Sequence, residues 1–444
     1  MSKTVAPRVV VVGLGYVGLT LAVALARRGI PVVGVEKREA VVHATNAGTP
    51  HFSEVGLNAA LESTVRSGHL SATTSIAEAP PADYYIITVG TPLKAGTHEP
   101  RLDMIEQATR EVEGHMPEGA SVILRSTVRI GTTRNVVKPI LDQAGKEYHL
   151  AMCPERTLEG DALRELAMLP QIIGGLTPRA ADLAAALFSR LTNTLVRVSD
   201  PETAEMIKLI DNTSRDVRFA FANEVARACD AIGINANEVI RYGKLGYSRT
   251  DVALPGLVGG PCLEKDPHIL LSSVSGLGVN LEITAASRTV NERQPRETVD
   301  AIVAKLRERG EGPFTVAVAG IAFKGRPETD DLRGSMSLHI IDELLARSEV
   351  GSVRVFDSVV PRENLEALPQ NVEVAGDFFT ACTDADAVVI ANNHPYFSSI
   401  DLDACLSRMR PAGFVYDYWN NLGDQPPEVL NGRYFVVGNL VGAF

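Results

Sequence analysis

The sequence predicts an α/β protein in which two Rossmann-like, doubly wound domains are joined by a long central helix. Three observations lead to this prediction. Short β-branched runs alternate with helical stretches over the first part of the chain, no Gly or Pro occurs between Glu202 and Ile232, and a second alternation begins at Phe314. With 444 residues, 45% of them hydrophobic, the chain is long enough for two or three domains that each bury a core.

The first alternation indicates a parallel sheet that is covered by helices on both faces. Buried strands are predicted at Arg8–Val12, Val32–Glu36, Tyr84–Val89, Ser121–Arg125 and Tyr148–Met152. The segments between these strands have helical length and period. Residues 1–198 are therefore predicted to form the first domain.

Helix formers fill residues 202–232, which predicts one helix about 45 Å long at a rise of ~1.5 Å per residue. A break near Asn212–Ser214 stays open as an alternative. A helix this long more often bridges domains or builds a dimer interface than covers one sheet. Residues 199–296 are therefore predicted to form a central helical and dimerisation domain.

A second, smaller α/β domain is predicted at residues 297–444. Its strands are predicted at Phe314–Ala319, Val353–Asp357, Ala387–Ala391 and Phe414–Asp417. The Gly312-Pro313 pair suits the entrance to this domain, because both residue types interrupt regular structure.

Composition excludes several function classes. The formal charge is −11 and the acidic residues are dispersed, which argues against binding nucleic acid or a membrane surface. The N-terminus has no apolar signal region, and no later stretch approaches ~20 uninterrupted apolar residues, so a cytoplasmic protein is expected. The five cysteines form no CxxC pair and no zinc-like Cys/His cluster, so reduced thiols and no metal site are expected.

A glycine-rich turn after the first strand predicts a dinucleotide site. The residues expected to bind the cofactor are Gly13, Gly15, Tyr16, Val17 and Gly18. Such glycines allow a tight turn and close approach of the pyrophosphate, whose charge faces the free N–H groups of the following helix. The alternative is that these glycines only make a tight turn.

An acidic residue at the end of the second strand indicates which dinucleotide binds. Glu36 lies eighteen residues after Gly18, where a carboxylate accepts hydrogen bonds from ribose hydroxyls and repels a 2′-phosphate. NAD is therefore predicted over NADP, although Lys37 and Arg38 weaken the preference. The first domain is accordingly predicted to be an NAD-binding Rossmann domain.

Cys262 follows a glycine pair in the segment Gly259-Gly260-Pro261-Cys262-Leu263-Glu264-Lys265-Asp266. The pair is expected to let backbone, and hence substrate, come close. A helix that starts at Cys262 would lower the pKa of the thiol through its dipole and put Asp266 on the same face one turn later. The alternative is a small buried hydrophobic residue.

Over nearly its whole length, the chain resembles the family of UDP-glucose and GDP-mannose dehydrogenases. The matching motifs are Gly13 to Gly18, Thr91-Pro92, Ser126-Thr127-Val128, Pro154-Glu155-Arg156, Glu159-Gly160, Ala204-Glu205 with Lys208 and Asn212, Gly259 to Asp266, Ala322-Phe323-Lys324 and Asp330-Asp331-x-Arg333. The resemblance implies hydride transfer from the sugar C6 to NAD, attack of Cys262 on the aldehyde, a second hydride transfer and hydrolysis of a thioester.

The resemblance also implies catalytic roles. Lys208 and Asn212, spaced i, i+4, would stabilise the C6 oxyanion, Asp266 would assist the cysteine, and Glu155 with Thr127 would orient or deprotonate the hydrolytic water. A solvated lysine beside an amide, and a helix-capping role for Glu155, stay open as alternatives.

Binding roles follow in the same way. Cofactor contacts are implied for Thr91, Thr127, Glu159, Lys265 and Arg333, and substrate contacts for Glu155, Arg156, Lys208, Asn212, Arg249, Gly259 and Lys324. The resemblance further implies a homodimer in which Arg249 enters the neighbouring active site. For Arg333, a surface salt bridge with the preceding aspartates is the alternative.

Three segments depart from the family pattern. Asp417-Tyr418-Trp419-Asn420 replaces the common Asp-Gly-Arg-like stretch, His394-Pro395-Tyr396-Phe397 replaces a Trp-containing turn, and, as a milder change, Glu54-Val55-Gly56-Leu57 replaces Glu-Pro-Gly-Leu. Within the family, the text around Lys208 and Glu155 is most similar to the branch acting on UDP-N-acetylhexosamines, with UDP-glucose as the next choice. A two-electron hydroxyacid dehydrogenase and a catalytically silent nucleotide-sugar binding protein remain as rival functions.

Overall fold

The computed structural model describes residues 6–94, 96–369, 371–423 and 432–439. The first five residues of the predicted first domain, and residues 424–431 and 440–444 of the predicted last domain, lie outside the described residues. The chain divides into two compact units: residues 1–212 with 268–280, and residues 213–267 with 281–444. These units split the predicted central domain, and the three-domain boundaries stay a prediction.

The sheet of the first unit confirms the five predicted strands, with small differences at their ends. Within the described residues its strands are β1 Val9–Val12, β2 Val32–Val35, β3 Leu70–Thr73, β4 Tyr84–Ile87, β5 Ala120–Leu124, β6 Tyr148–Met152, β7 Gln171–Gly175 and β8 Leu195–Val198. The order is β3-β2-β1-β4-β5-β6-β7-β8, parallel except where β6 meets β7. Strands β3, β7 and β8 were not predicted.

Helices cover both faces of this sheet. They are α1 Tyr16–Ala26, α2 Glu39–Asn46, α3 Leu57–Arg66, α4 Asp103–His115, α5 Lys138–Leu141, α6 Ala162–Met168 and α7 Pro178–Phe188. Val9 and Val11 of β1 belong to one hydrophobic cluster, and Val10 and Val12 to another. Because successive side chains point to opposite faces, a strand of four valines is buried on both sides.

Helix α8 spans Pro201–Ile232 without the break near residue 212 that the sequence left open. The prediction of one long helix is confirmed, and the boundary between the two units falls within it. Across the part of the chain that the structure describes, no helix is both long enough and apolar enough to cross a membrane.

The second unit repeats the architecture of the first. Its described strands are β9 Phe314–Ala319, β10 Val350–Phe356, β11 Val372–Val374, β12 Ala387–Ile390, β13 Phe414–Asp417 and β14 Tyr434–Val436. They form a parallel sheet in the order β11-β10-β9-β12-β13-β14. The four predicted strands are confirmed, and β11 and β14 were not predicted.

The remaining helices belong mainly to this unit. They are α9 Ala236–Gly243, α10 Gly260–Leu263, α11 Asp266–Val274, α12 Glu282–Glu292, α13 Gln294–Arg309, α14 Met336–Leu345, α15 Arg362–Glu366, α16 Phe378–Cys382 and α17 Leu402–Arg408. In each sheet the strand order reverses beside the first strand, at β1/β4 and at β9/β12. Ligands of doubly wound sheets bind in the crevice at such a point.

Candidate active site

The predicted dinucleotide turn lies between β1 and α1. Gly13 has a φ of +94°, which favours glycine. A Cβ on Gly18 would lie 1.8 Å from the Gly13 carbonyl oxygen, so Gly18 allows the helix to pack against the turn. A Cβ on Gly15, by contrast, would meet nothing within 4 Å. The space beside Gly15, at the N-terminus of α1, is therefore available to a ligand.

Glu36 follows β2 and accepts hydrogen bonds from the Leu14 amide, at 3.1 Å, and from Arg38. Burial raises the pKa of Glu36, but the hydrogen bonds from Arg38 and Leu14 outweigh it and bring the pKa below its usual value. Lys37 pairs with Glu111 at 3.1 Å. Both basic residues that weakened the preference for NAD thus contact carboxylates.

Two predicted cofactor residues meet beyond β4 and β5. The Thr91 hydroxyl donates a hydrogen bond to the Thr127 carbonyl, and Thr91 is buried. Tyr16 stacks on Phe52 with ring centroids 3.8 Å apart, and its hydroxyl donates to the Ser53 carbonyl. Thr91 and Thr127 follow β4 and β5, so their contact lies at the carboxyl edge of the first sheet, near the point where the strand order reverses.

Glu155 lies in the segment after β6 and is buried in an ion pair with Arg125. Its Oε2 accepts from two Arg125 nitrogens at 3.0 and 2.6 Å, and its Oε1 accepts from the amides of Arg156 and Thr157, both at 2.7 Å. Burial raises the pKa of Glu155, but Arg125, the Thr157 amide and Lys208 outweigh it and lower the pKa. The carboxylate therefore stays ionised, which suits orienting better than accepting a proton.

Arg125 is a residue that the sequence reasoning missed. Its guanidinium is almost completely buried, donates to the Cys153 carbonyl and to the Gln171 side chain, and lies over the Phe188 ring. No local pattern signals this role, because the acceptors lie 28 to 46 residues away along the chain.

Lys208 and Asn212 are both buried on α8. The effect of Lys208 on the pKa of Glu155 indicates that the two groups lie near each other. Arg156 pairs with Asp211 at 2.8 Å and ties the segment after β6 to the helix. In the same segment Glu159 is half-buried.

Glu205 lies one turn before Lys208 and is buried. Its carboxylate accepts hydrogen bonds from the Gly131 amide and from the Thr133 amide and hydroxyl. Burial raises the pKa of Glu205 from 4.5 to about 7 despite these bonds. The uncharged hydrogen-bond donors lower the pKa of Glu205 by less than burial raises it.

In the second unit, Cys262 is the third residue of the one-turn helix α10 and is exposed. The other four cysteines are buried, and all five are reduced. The condition considered for Cys262, a helix that starts there and continues to Asp266, is not met. Helix α10 ends at Leu263 and α11 begins at Asp266, because the Lys265 amide bonds to the Cys262 carbonyl at 3.2 Å in a turn between them.

The glycine pair before Cys262 packs against the chain itself. The Gly260 amide donates to the Gly334 carbonyl at 2.6 Å, and a Cβ on Gly260 would lie 2.3 Å from the Phe323 ring. A Cβ on Gly259 would lie 2.3 Å from the Gly334 oxygen. Backbone and an aromatic ring, rather than open substrate space, therefore occupy the side where Cβ atoms would project.

Lys265 donates a hydrogen bond of 2.7 Å to the fully buried Asp266. Burial lowers the pKa of Lys265, but the charges of Asp266 and Cys262 outweigh it and raise the pKa above its usual value. A persistent ammonium thus stands near the thiol, where it favours the thiolate.

The other predicted substrate and cofactor residues of this unit lie on its loops. The Lys324 ammonium lies 5.2 Å from the Phe323 ring, and Arg249 is exposed with its guanidinium over Tyr247. Arg333 is exposed and pairs with Asp331 at 2.6 Å, which was the alternative to a cofactor contact. This ion pair is present, and the cofactor role stays a prediction.

The departure at residues 417–420 forms an ordered turn after β13. Asp417 is fully buried and accepts hydrogen bonds from the Trp419 amide, the Asn421 side chain and the Tyr434 hydroxyl. The Trp419 indole donates to the Ala391 carbonyl at 2.9 Å and packs on Gly256, where a Cβ would lie 2.3 Å from the ring. The segment that replaces the family's arginine stretch therefore supports the loop before Cys262.

Comparison with known proteins now identifies the family. The chain matches the UDP-glucose/GDP-mannose dehydrogenase family in three consecutive parts: the NAD binding domain over residues 7–192, the central domain over 202–293 and the UDP binding domain over 317–424. The chain belongs to this family. It is an NAD-dependent nucleotide-sugar dehydrogenase, as its sequence predicted.

Its relatives act on nucleotide sugars. The chain is 34% identical to UDP-N-acetyl-D-mannosamine dehydrogenase of Pyrococcus horikoshii, over 92% of this chain and 98% of that protein. It is 34% identical to an NDP-N-acetyl-D-galactosaminuronic acid dehydrogenase of Ralstonia nicotianae, over 90% and 93%. The solved structure of the P. horikoshii UDP-D-ManNAc dehydrogenase matches with a TM-score of 0.86 at 31% identity, covering 97% of this chain and 99% of that one.

The residues of this dehydrogenase fit NAD. Open space beside Gly15 at the start of α1 suits a pyrophosphate, and the α1 first turn contains no acidic residue that would repel it. Glu36 supplies an ionised carboxylate at the end of β2. When bound, NAD supplies a hydride acceptor.

The two glycines of the turn should respond differently to alanine. Gly15→Ala should weaken NAD binding about tenfold while leaving the melting temperature nearly unchanged, because the added methyl enters ligand space. Gly18→Ala should lower the melting temperature, because its methyl would collide with the Gly13 carbonyl. Calorimetric NAD titration and thermal unfolding of both variants measure this. Wild-type affinity in Gly15→Ala would contradict the assignment.

Glu205 should make stability depend on pH. Its pKa is about 7 in the folded protein and near 4.5 in the unfolded chain, so the folded state binds more protons between these values. Stability from this group is complete below about pH 4.5 and falls as the pH rises through about 7, by roughly 3 kcal/mol in total. Glu205→Gln, which stays neutral, should remove this fall in denaturant unfolding across pH 5–8.

The control is the difference between the two proteins at each pH, which cancels the other titrating groups. A wild-type advantage over Glu205→Gln that grows with pH would contradict the prediction, because the carboxylate would then be favoured over a neutral group.

Proposed function

We propose that the protein oxidises the C6 hydroxyl of a UDP-sugar to a carboxylate in two hydride transfers, with Cys262 as a covalent nucleophile. UDP-N-acetylglucosamine or UDP-N-acetylmannosamine is the first choice of substrate, and UDP-glucose is the next. The observation that carries the proposal is the exposed, reduced thiol of Cys262 near the Lys265 ammonium, which in turn donates to the buried carboxylate of Asp266. A dehydrogenase limited to two electrons needs no such thiol.

C6 loses a hydride to NAD and its hydroxyl loses a proton, which gives an aldehyde. The Cys262 thiolate adds to the carbonyl carbon, and the oxygen takes up a proton to give a thiohemiacetal. The same carbon then loses a hydride to a second NAD and its hydroxyl loses a proton, which gives a thioester. Water then adds to the thioester carbonyl, the C–S bond breaks, and the carboxylate leaves with the thiol restored.

Residues of the first unit serve the oxygen and the water. We assign Lys208 and Asn212 to stabilising the C6 oxyanion, since a buried ammonium and amide on one helix face suit developing negative charge. We assign Glu155, with Thr127, to orienting the hydrolytic water. The four N–H donors to Glu155 and its lowered pKa favour orienting over deprotonation.

The choice of substrate rests on the names of the relatives, and the proposed cellular location rests on the reduced cysteines. The names of the P. horikoshii and Ralstonia relatives include N-acetylated sugars, which supports an acetamido substrate. We retain the division at residues 1–198, 199–296 and 297–444, with cofactor and UDP-sugar binding in the outer parts. Reduced thiols and the need for NAD suit a cytoplasmic setting.

We also propose a homodimer in which Arg249 serves the neighbouring active site. Several large apolar side chains of the second unit are exposed between residues 221 and 254, a stretch of the chain that includes the exposed Arg249. They are Phe221, Ile232, Ile234, Val239, Tyr242, Leu245, Tyr247 and Leu254. Exposed apolar side chains concentrated in one stretch support an interface there.

A panel of UDP- and GDP-sugars with NAD tests the reaction. The expected substrate yields two NADH per sugar and a product that has gained one oxygen and lost two hydrogens. A single NADH per substrate would favour the two-electron rival. Absence of turnover on every nucleotide sugar, with binding retained, would favour the silent binding protein.

Cys262→Ser should abolish carboxylate formation, with at least a 1,000-fold loss of four-electron turnover expected from removal of the nucleophile. NADH yield and product mass measure the loss, and NAD affinity serves as the control because Cys262 is not assigned to the cofactor. Full four-electron turnover in Cys262→Ser would overturn the covalent mechanism.

Arg249 should act across the dimer. Arg249→Ala and Cys262→Ser are each expected to be inactive as pure dimers, whereas unfolding and refolding them together should restore about a quarter of wild-type activity, because mixed dimers hold one intact site. Mixing Cys262→Ser with Cys262→Ser carrying Arg249→Ala is the matched control and should restore nothing. Failure of the first mixture, when mass spectrometry shows mixed dimers, would place Arg249 in its own subunit's site.

A further inference from the structure

The one-turn helix that carries Cys262 is held at both ends by other parts of the second unit. At its first residue, the Gly260 amide donates to the Gly334 carbonyl at 2.6 Å. At its last residue, the Leu263 carbonyl accepts from the Arg288 guanidinium at 3.1 Å. A helix of four residues cannot hold itself in place, so these contacts fix the position of the thiol.

Arg288 lies on α12 and is almost completely buried. The same nitrogen that reaches Leu263 donates to Asp216 on α8 at 2.6 Å. Asn291, one turn later on α12, donates to the Asp216 carbonyl and side chain at 3.0 and 2.9 Å. The guanidinium is therefore clamped between a fully buried carboxylate and the carbonyl that ends the Cys262 helix.

The same network holds the loop that leads to Cys262. The Asn223 side chain donates to the Gly256 carbonyl at 3.1 Å and accepts from the Gly256 amide at 2.9 Å. It also donates to the Asn291 side chain at 3.1 Å. Buried polar groups of α8 and α12 thus contact the backbone on both sides of the nucleophile.

We propose that Arg288 is a positioning residue for Cys262, which holds the thiol in the place and orientation where it reacts. The inference rests on the proposed function insofar as Cys262 is its nucleophile. Arg288 acts through the Leu263 carbonyl and the turn that follows it. Without the fork of guanidinium donors, that turn is released and Cys262 loses its fixed relation to Lys265.

Alkylation of the native protein tests the proposal without any sugar. The Cys262 thiolate attacks the methylene carbon of iodoacetamide, an S–C bond forms, and iodide leaves. Since the other four cysteines are buried, the rate on native protein reports Cys262, and Cys262→Ser gives the blank. The rate is measured from pH 5 to 10, so that both its size and its midpoint are known.

Arg288→Lys keeps the positive charge but loses the planar guanidinium, whose Nη1 donates to both Asp216 and the Leu263 carbonyl. We expect its alkylation rate at pH 7 to fall about tenfold and its midpoint to move to higher pH. The matched control is Glu292→Ala, which removes a different contact of Arg288, to Glu292 at 3.2 Å, and leaves the Leu263 contact in place. Its rate and midpoint should match the wild type.

Thermal unfolding separates positioning from a purely structural role. A lower melting temperature in Arg288→Lys with an unchanged or faster alkylation rate overturns the proposal. Should Arg288→Lys not fold, Asp216→Asn decides, because it keeps the side-chain shape but removes the charge that clamps the guanidinium. A smaller change in the same direction supports the proposal, and a wild-type profile overturns it.

Turnover distinguishes this inference from the proposed function. If wild-type alkylation depends on Arg288 but no nucleotide sugar is oxidised, the proposed function fails and the positioning stands. If the wild type oxidises its sugar and Arg288→Lys is alkylated like the wild type, the positioning fails alone. In the expected case Arg288→Lys lowers kcat and leaves KM nearly unchanged.

Discussion

The buried ion pair between Arg288 and Asp216 is the interaction on which the surroundings of Cys262 depend. Both side chains are withdrawn from water, which costs several kcal/mol per charge unless partners and hydrogen bonds compensate. Compensation is distributed: the guanidinium also donates to the Leu263 carbonyl, and Asn291 adds donors to Asp216. Because a single guanidinium nitrogen donates to both Asp216 and the Leu263 carbonyl, these acceptors are satisfied together in a single arrangement of α8, α10 and α12. The hydrogen bonds that compensate the buried charges also hold the backbone around Cys262 in one position.

The first unit also contains a buried pair of an arginine and a carboxylate, at the ends of its parallel strands. Arg125 follows β5 and pairs with Glu155 after β6, and both are buried. The pair bridges neighbouring strand ends, while the amides of Arg156 and Thr157 bind the other carboxylate oxygen. The segment after β6 therefore folds back so that its own amides bind the carboxylate of Glu155. Glu155 shapes the loop in which it stands, whatever it contacts in the substrate.

The sequence predicted those parts of the fold whose signal is local. Runs such as Val9–Val12 and the glycines from Gly13 to Gly18 carry their own pattern, and they form as expected. Short strands such as β8, with half-exposed or exposed residues, lack that pattern and were missed. Arg125 and Arg288 were missed because charged residues are usually exposed, and their carboxylate partners lie 30 and 72 residues away. The sequence left open whether a helix starts at Cys262; the helix there spans only Gly260–Leu263, and tertiary contacts of Gly260 and Leu263 hold its two ends.

Glu155 and Glu205 are two buried acids whose pKa values are shifted in opposite directions. Both accept hydrogen bonds from backbone amides, and burial raises the pKa of each. Only Glu155 has a buried guanidinium against it, and its pKa falls, whereas Glu205 has uncharged donors and its pKa rises to about 7. A charged donor does not always outweigh burial, because the pKa of Asp216 is raised although the buried Arg288 guanidinium pairs with it. Of these two acids, the one that the family resemblance links to proton transfer is therefore the one held ionised. Under the proposed function, Glu155 therefore contributes a fixed negative charge, and the proton released in hydrolysis passes to another group.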